Sequence, residues 1–296
     1  MELVVSLVSP DPSAASAAAG RVKSALAATG AGVKAPKPLG EGALELHLIA
    51  DLAAARRVVA EAVGDAPVDT CVQEAAGRKK RLLIADMDST IINVECIDEL
   101  ADFAGVKAKV SEITERAMRG ELDFEGALRE RVGMLKGLPL SDLQRAYDER
   151  VRLNPGARTL VRTMTAHGAK AFLVSGGFTF FTSRVAAAAG FDANRANTLI
   201  EDGDVLAGTV GTPILGREAK LAALKEEAAN LGAPLSATLA VGDGANDLAM
   251  IEASGLGVAY RAKPVVAAQA HAKVDHADLT ALLYFQGYQA SEFVVD

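Results

Sequence analysis

The sequence predicts an α/β protein in which a small α+β unit precedes a larger parallel-sheet, Rossmann-like core with a helical cap. Up to about residue 75, the patterns follow the order strand, helix, strand, strand, helix, strand. From residue 81 onward, unbroken apolar runs alternate with helical patterns, which is typical of parallel strands buried on both faces. Between the first two runs lies a charged helical segment that is too long for a simple crossover connection.

The first predicted unit, residues 1–76, has the element order of a ferredoxin-like fold. Its predicted elements are a strand over 3–8, a helix over 13–28, a short extended piece after Gly30, a strand over 43–49, a helix over 52–63 and an extended segment over 68–73. Asp51 is expected to cap the second helix. The unit resembles the small amino-acid-binding regulatory domains of the ACT type. No residue in it demands a ligand, so a structural or dimerising role is equally open.

The second predicted unit, residues 81–296, contains the core strands and the cap. The core strands are expected at 82–85, 171–174, 238–241 and 256–259. The helical insert at about 97–152 is interpreted as a cap, and an Asp-Gly pair within 197–208 predicts a β-hairpin. The basic cluster 78–81 is interpreted as a solvated linker before the first core strand.

Composition and charge exclude several classes of partner. The formal net charge of −7 argues against nucleic acid or an anionic membrane as the main partner. The first apolar run is short and lacks a basic lead, and no apolar stretch is long enough to cross a bilayer, so a cytoplasmic location is expected. Cys71 and Cys96 match no metal or disulfide spacing and are expected to be buried fillers.

Two carboxylates, Asp86 and Asp88, leave the first core strand together. Burying such charges without a partner is costly, so a metal ion or a charged substrate is implied. One aspartate can act as a nucleophile toward phosphorus, while its neighbour transfers protons as a general acid and base. Taken alone, the pair is explained equally well as an Asx-type cap for the following helix.

Ser175, Gly176 and Gly177 follow the second core strand. Glycine at such a place allows backbone N–H groups to approach a phosphoryl oxygen closely, although a plain turn is the common explanation for this motif. Lys220, at the start of a predicted helix, can neutralise charge that develops on a transferred group. Most helical lysines are only solvated, so Lys220 is a weak indication by itself.

Asp243, Asn246 and Asp247 lie in a glycine-rich segment after the third core strand and offer hard oxygen ligands suited to Mg²⁺. In chain order, the motifs Asp-x-Asp-x-Thr, Ser-Gly-Gly, Lys and Gly-Asp-Gly-x-Asn-Asp resemble the series found in the haloacid dehalogenase (HAD) superfamily. The resemblance implies a HAD core and an aspartyl-phosphate formed on Asp86. It also implies Mg²⁺ held by the Asp86 and Asp243 carboxylates and the Asp88 backbone carbonyl, with Asp247 orienting these ligands or the lysine.

Within this superfamily the sequence is similar to the phosphoserine phosphatases. Glu95 stands nine residues after Asp86, and the cap carries Phe124 and Arg131 at matching positions. The similarity implies that Glu95 meets the substrate α-ammonium group, that Arg131 meets its α-carboxylate and that Phe124 closes over it. It also implies which residues bind the phosphoryl group or the rest of the substrate: Ser175, Gly176, Gly177, Lys220 and Asn246. Met87 replaces an aromatic residue of many relatives, and its side chain is expected to face the core.

The expected activity is Mg²⁺-dependent hydrolysis of O-phospho-L-serine to L-serine and phosphate, the last step of L-serine biosynthesis. Three alternatives stay open. The same fold can act on another small phosphate ester, such as phosphothreonine, phosphohomoserine or a sugar phosphate. The chain can also be a regulatory protein with an inactive phosphatase domain, or a phosphotransferase with the same first half-reaction. A homodimer is expected from the ferredoxin-like unit.

Overall fold

The computed structural model describes residues 1–118 and 121–295. Positions 119 and 120 of the predicted cap and the final residue of the second unit lie outside the described residues. The described chain contains a 4-stranded antiparallel sheet, then a 6-stranded parallel sheet and a 2-stranded hairpin. The predicted fold class, an α+β unit followed by a parallel-sheet core, is confirmed. No helix among the described residues is long and apolar enough to cross a membrane.

The N-terminal sheet has the strand order β2-β3-β1-β4, with antiparallel neighbours, as the ferredoxin-like order requires. Asp51 caps α2 as predicted, since its Oδ1 accepts a 2.8 Å hydrogen bond from the Ala54 N–H. The elements are β1 (Glu2–Val8), α1 (Pro12–Ala28), β2 (Lys37–Gly40), β3 (Ala43–Ile49), α2 (Leu52–Val63) and β4 (Asp69–Glu74).

Strand β1 is buried on both faces. Leu3 and Val5 belong to the apolar core that the N-terminal sheet forms with α1 and α2. Val8 and Cys71 belong instead to the main apolar core of the parallel-sheet unit. Because one face of the N-terminal sheet packs against the second unit, its central strand β1 lacks the solvated face that antiparallel sheets often keep.

The parallel sheet has the strand order β12-β11-β10-β5-β6-β7. The carboxyl ends of β10, β5 and β6 are therefore neighbours, and this edge of an open α/β sheet is where ligands bind. The elements are β5 (Leu82–Ala85), α7 (Ala157–Ala166), β6 (Lys170–Phe178), α8 (Thr179–Ala189), β7 (Ala193–Asn197), α9 (Arg217–Asn230), β10 (Thr238–Gly242), α10 (Leu248–Ala253), β11 (Leu256–Tyr260), α11 (Pro264–Ala267), β12 (Ala272–Val274) and α12 (Ala281–Phe285). Short helical turns lie at Leu235–Ala237 and Ala290–Glu292, and an irregular turn lies at Met87–Ile91.

The described residues of the predicted helical insert form four helices between β5 and α7. They are α3 (Cys96–Phe103), α4 (Lys107–Met118), α5 (Phe124–Gly133) and α6 (Leu140–Arg150). The predicted hairpin is confirmed as β8 (Leu199–Asp202) and β9 (Val205–Val210). Leu206 of β9 exchanges 2.9 Å backbone hydrogen bonds with Gly137 and Leu138, which follow α5. The hairpin therefore supports the cap.

The interpretation of the basic cluster as a solvated linker is wrong for two of its residues. Lys80 is only 8% exposed, and its ammonium group donates a 2.9 Å hydrogen bond to the Ser236 carbonyl. Arg78 forms a 2.7 Å ion pair with Glu45, a buried residue of β3. Lys80 therefore joins the linker to the parallel-sheet unit, and Arg78 joins it to the N-terminal unit. Both cations have acceptors because a buried charge without a partner is costly.

Asp69, the first residue of β4, fixes the two sheets together at another point. Its buried carboxylate accepts hydrogen bonds from the backbone N–H groups of Asp275 at 2.8 Å, His276 at 3.2 Å and Ala277 at 2.7 Å. These three residues directly follow β12. Burial raises the pKa of Asp69, and the three N–H groups counter that rise by favouring the charged form.

Replacing Asp69 with Asn should lower the free energy of unfolding by about 2 kcal/mol, because hydrogen bonds to a buried charged acceptor are lost. The NH2 group of the Asn side chain would also face backbone N–H groups, so that hydrogen-bond donors would stand opposite donors. Urea unfolding followed by circular dichroism measures the change. Asp65→Asn is the matched control, since Asp65 is exposed in the same unit and should change stability by less than about 0.5 kcal/mol. Equal losses in the two variants would contradict the assigned role of Asp69.

Candidate active site

A cavity of about 690 Å³ lies between the carboxyl ends of the parallel strands and the cap. Most of the predicted site residues line it: Asp86, Asp88, Glu95, Phe124, Arg131, Ser175, Gly176, Gly177, Asp243 and Asn246. Lys220 and Asp247 do not line the cavity, and both are buried beside Asp86. The topology thus brings together residues that are far apart in the sequence.

Lys220 of α9 is 2% exposed and lies between two carboxylates. Its Nζ donates 2.6 Å hydrogen bonds to Asp86 Oδ1 and to Asp247 Oδ1. Burial acts to lower the pKa of Lys220, but the charges of Asp247 and Asp86 outweigh it, so that pKa is raised and the ammonium form is kept. Burial and the charge of Asp247 raise the pKa of Asp86, whereas Lys220 favours its ionised form.

Asp88 is held by hydrogen bonds to both carboxyl oxygens. Its Oδ1 accepts from the Cys96 backbone N–H at 2.9 Å, and its Oδ2 accepts from the Ser175 hydroxyl at 3.1 Å. Burial raises the pKa of Asp88, which favours the protonated form that a general acid must carry. Met87, between the two aspartates, is fully buried in the core as predicted.

The acidic side chains provide a site that fits a divalent cation. One carboxylate oxygen from each of Asp86, Asp243 and Asp247 lies within 4.8 Å of the others. Burial and the charge of Asp247 raise the pKa of Asp243. When the three carboxyl groups are ionised, they carry more negative charge than the ammonium group of Lys220 balances. Carboxylate oxygens are the ligands that Mg²⁺ prefers. Asp247 Oδ2 also accepts 3.2 and 3.0 Å hydrogen bonds from the N–H groups of Asp243 and Gly244, which fixes this loop.

Glu95 and Arg131 lie on the cap side of the same cavity. Burial, followed by the charge of Asp88, raises the pKa of Glu95 to about 7. The Ser89 hydroxyl donates a 2.6 Å hydrogen bond to Glu95 Oε1. The backbone of Ser89 has a φ of 55°. Such a left-handed conformation is uncommon for a residue other than glycine and often occurs at functional sites. Arg131 donates from Nε to the Ala127 carbonyl at 3.2 Å.

Phe124, the first residue of α5, reaches from the cap to the core. A Cβ atom added at Gly176 would lie 3.1 Å from Phe124 Cζ, and one added at Gly216 would lie 3.3 Å from its Cδ1. These contacts are tight, so glycine at both positions leaves room for the ring.

Sequence reasoning missed three residues of the site as functional candidates. They are Ser89, Thr90, whose hydroxyl donates to Asp243 Oδ1 at 3.3 Å, and Asn197 at the end of β7. Ser89 and Thr90 belong to the first motif, so their place beside two carboxylates was an available signal. Asn197 has no comparable signal, since asparagine at the end of a strand usually indicates only a turn.

A family model of haloacid dehalogenase-like hydrolases matches residues 83–252, more than half of the chain. The protein therefore belongs to the haloacid dehalogenase-like hydrolase family. A curated relative, the phosphoserine phosphatase of Polaromonas sp., is 47% identical over 208 residues, which cover 69% of this chain and 88% of the relative.

Two solved structures have a fold similar to that of this protein. The structure of a HAD family hydrolase from Salmonella enterica serovar Typhi has a TM-score of 0.83 at 29% identity, over 96% of this chain and 98% of that one. A structure described as a phospho-aspartyl intermediate analogue of phosphoserine phosphatase has a TM-score of 0.65 at 38% identity. It covers 70% of this chain and 99% of its own.

Replacing Lys220 with Met should lower the free energy of unfolding by about 3 kcal/mol in metal-free buffer, because buried Asp86 and Asp247 lose the cation between them. Urea unfolding in the presence of a chelator measures this loss. Lys225→Met in the same helix is the control, since Lys225 is exposed and its replacement should change stability by less than about 0.5 kcal/mol. A Lys220→Met protein as stable as the control would show that the ion cluster does not hold these elements together.

Proposed function

We propose that this protein is a Mg²⁺-dependent phosphoserine phosphatase, which hydrolyses O-phospho-L-serine to L-serine and phosphate through an aspartyl-phosphate on Asp86. One observation carries the proposal. A single cavity presents Asp86 and Asp88 from the sheet side, and Glu95 and Arg131 from the cap side. The first pair suits phosphoryl transfer, and the second suits a zwitterionic amino acid. The phosphoserine phosphatase of Polaromonas sp. and the phospho-aspartyl structure described above support the same reaction.

In the first half-reaction, the Asp86 carboxylate attacks phosphorus and the bond from phosphorus to the serine oxygen breaks. Lys220 favours the ionised form of Asp86 and orients its carboxylate through the 2.6 Å hydrogen bond. Asp88 donates its proton to the departing serine oxygen. The products are the aspartyl-phosphate on Asp86, free serine and an ionised Asp88.

In the second half-reaction, Asp88 takes a proton from a water molecule, whose oxygen attacks the phosphorus of the aspartyl-phosphate. The bond from phosphorus to Asp86 breaks, and inorganic phosphate leaves. Ser175, Gly176, Gly177 and Asn246 face the same cavity, which supports a role for them in holding the phosphoryl oxygens. Asp88 is again protonated, so the cycle is balanced without an outside reactant.

We propose Mg²⁺ as the metal ion, held by the Asp86 and Asp243 carboxylates and the Asp88 backbone carbonyl, with Asp247 orienting the loop. When bound, the ion supplies positive charge against the phosphoryl group. The excess negative charge of the acidic cluster supports a divalent cation at this place.

Substrate selection is assigned to the cap. The Arg131 guanidinium group suits a bidentate contact with the substrate α-carboxylate. Glu95 suits the α-ammonium group, because a buried carboxylate gains most from a cationic partner. Phe124 packs against Gly176 and closes the cavity over the substrate. Water is then excluded while Asp86 attacks, which favours transfer to the enzyme first.

The proposed reaction places the protein at the last step of L-serine biosynthesis. We also propose that residues 1–76 and 81–296 form separate domains, with the cap at about 97–152, because each sheet has its own helical layer. A cytoplasmic location and a homodimer stay predictions from the sequence.

The direct test measures phosphate release from O-phospho-L-serine with and without Mg²⁺, beside phosphothreonine and a sugar phosphate. Phosphoserine should be hydrolysed fastest, and chelation should stop the release. Asp86→Asn should reduce kcat by at least about 1,000-fold, since the amide is not a nucleophile. Asp65→Asn, at an exposed position, should retain full activity. Metal-dependent release that prefers another ester would overturn the roles of Glu95 and Arg131, and no release at all would point to a phosphotransferase or a regulatory protein.

Specificity for the ammonium group should depend on pH through Glu95. Below about pH 7 its carboxyl group becomes neutral in the free enzyme and loses its attraction for the substrate cation. The ratio of kcat/KM for phosphoserine to that for phosphoglycolate, which lacks the ammonium group, should fall roughly tenfold from about pH 8 to about pH 6. Glu95→Gln should lower this ratio and make it independent of pH. An unchanged pH dependence in Glu95→Gln would assign the titration to another group.

A further inference from the structure

We propose that Asn197, the last residue of β7, is a positioning residue that holds the phosphoryl-binding backbone in the conformation needed for the reaction. The inference rests on the proposed phosphatase chemistry but not on which phosphate ester is the substrate. Asn197 does not line the cavity and is only 2% exposed. It therefore acts through the segments that it contacts.

The need for such a residue arises in the pairing of β6 with β7. Val174 of β6 pairs with Arg195, and the next pair joins Phe178 with Asn197. Residues 175–177 thus stand opposite the single residue Ala196, so β6 contains a two-residue excess at this point. A bulge of this kind interrupts the hydrogen bonds between the strands and leaves backbone groups that need other partners. This excess segment is the Ser-Gly-Gly motif.

The Asn197 side chain replaces the interrupted hydrogen bonds. Its Nδ2 donates to the Gly176 carbonyl at 2.9 Å and to the Leu215 carbonyl at 3.2 Å. Its Oδ1 accepts from the Leu215 N–H at 2.7 Å. Both amide protons and the carbonyl oxygen are therefore used. A buried side chain with every polar group paired holds its partners in one arrangement.

The hydrogen bond to the Gly176 carbonyl connects Asn197 with Asp88, the proposed general acid. The Gly176 carbonyl belongs to the same peptide group as the Gly177 N–H, which donates to Ser175 Oγ at 2.8 Å. The Ser175 hydroxyl in turn donates to Asp88 Oδ2 at 3.1 Å. Asn197 thereby fixes the plane of the Gly176–Gly177 peptide group, and this plane directs the Ser175 proton toward Asp88.

The hydrogen bonds with Leu215 connect Asn197 with Lys220. Leu215 is followed by Gly216, the residue that caps α9, and α9 carries Lys220. One amide group thus connects the Ser-Gly-Gly segment to the entry of the helix that holds Asp86 through Lys220. Misplacement of either segment by about 1 Å is enough to reduce turnover about 100-fold.

The experiment compares Asn197→Ala with Asn194→Ala, a matched control in the same strand. Asn194 Oδ1 accepts a 2.8 Å hydrogen bond from the Thr182 hydroxyl of α8, so its replacement also removes a hydrogen bond from β7. We expect Asn197→Ala to lower kcat about 100-fold and to raise KM about tenfold, because the phosphoryl-binding backbone is no longer held in place. The loss should be equal for phosphoserine and p-nitrophenyl phosphate, which lacks the amino-acid groups. Asn194→Ala should keep kcat within about twofold of the unmodified protein.

Binding of inorganic phosphate with Mg²⁺ present, measured by calorimetry, gives a second readout that needs no turnover. It should weaken about tenfold in Asn197→Ala and stay unchanged in the control. Asn197→Ser, which keeps a small polar group, takes the place of the alanine variant if that protein does not fold. A folded Asn197 variant with unchanged kcat and phosphate affinity would overturn the proposal. Hydrolysis of p-nitrophenyl phosphate without that of phosphoserine would instead refute the proposed substrate and leave the role of Asn197 standing.

Discussion

The site depends on the ion pairs that the buried ammonium group of Lys220 makes with Asp86 and Asp247. This group joins Asp86, which follows β5, to Asp247, which follows β10, with hydrogen bonds of 2.6 Å to each. Without this cation, two buried carboxylates from neighbouring strand ends would repel each other and take up protons. The same contact therefore stabilises the edge of the sheet and favours the ionised form of Asp86, the form that the proposed attack on phosphorus requires. Stability and reactivity cannot be separated at this position.

The main site residues could be predicted from the sequence because of where they stand. Asp86, Ser175 and Asp243 each follow a buried apolar strand, and parallel topology brings such strand ends together. Each motif was a weak indication until their order was considered as a whole. Asn197 could not be found in this way, since its partners are backbone groups distant in the chain, and almost any residue type supplies such groups. Its importance arises from the strand register, which the sequence does not reveal.

The fold was predictable for a similar reason, and the error in it has a physical cause. Periodicity identifies the face of a strand that is apolar, but it does not show what covers the polar face. Glu45 stands in an alternating strand and would ordinarily be solvated, yet it is 1% exposed and paired with Arg78. Lys80 is likewise buried between the two units. A run of basic residues indicates a solvated linker only when no second sheet packs on it.

The chain continues from Asn197 directly into the β8–β9 hairpin, which supports the cap. A single stretch of backbone thus links the proposed phosphate site to the proposed site for the rest of the substrate. A ligand of the wrong length that displaces the cap would pull on this stretch and disturb the geometry around phosphorus. The protein would then discriminate among substrates by the rate at which the phosphorus–oxygen bond breaks as well as by the affinity with which the cavity binds them. A poor substrate could fill the cavity and still be left unreacted.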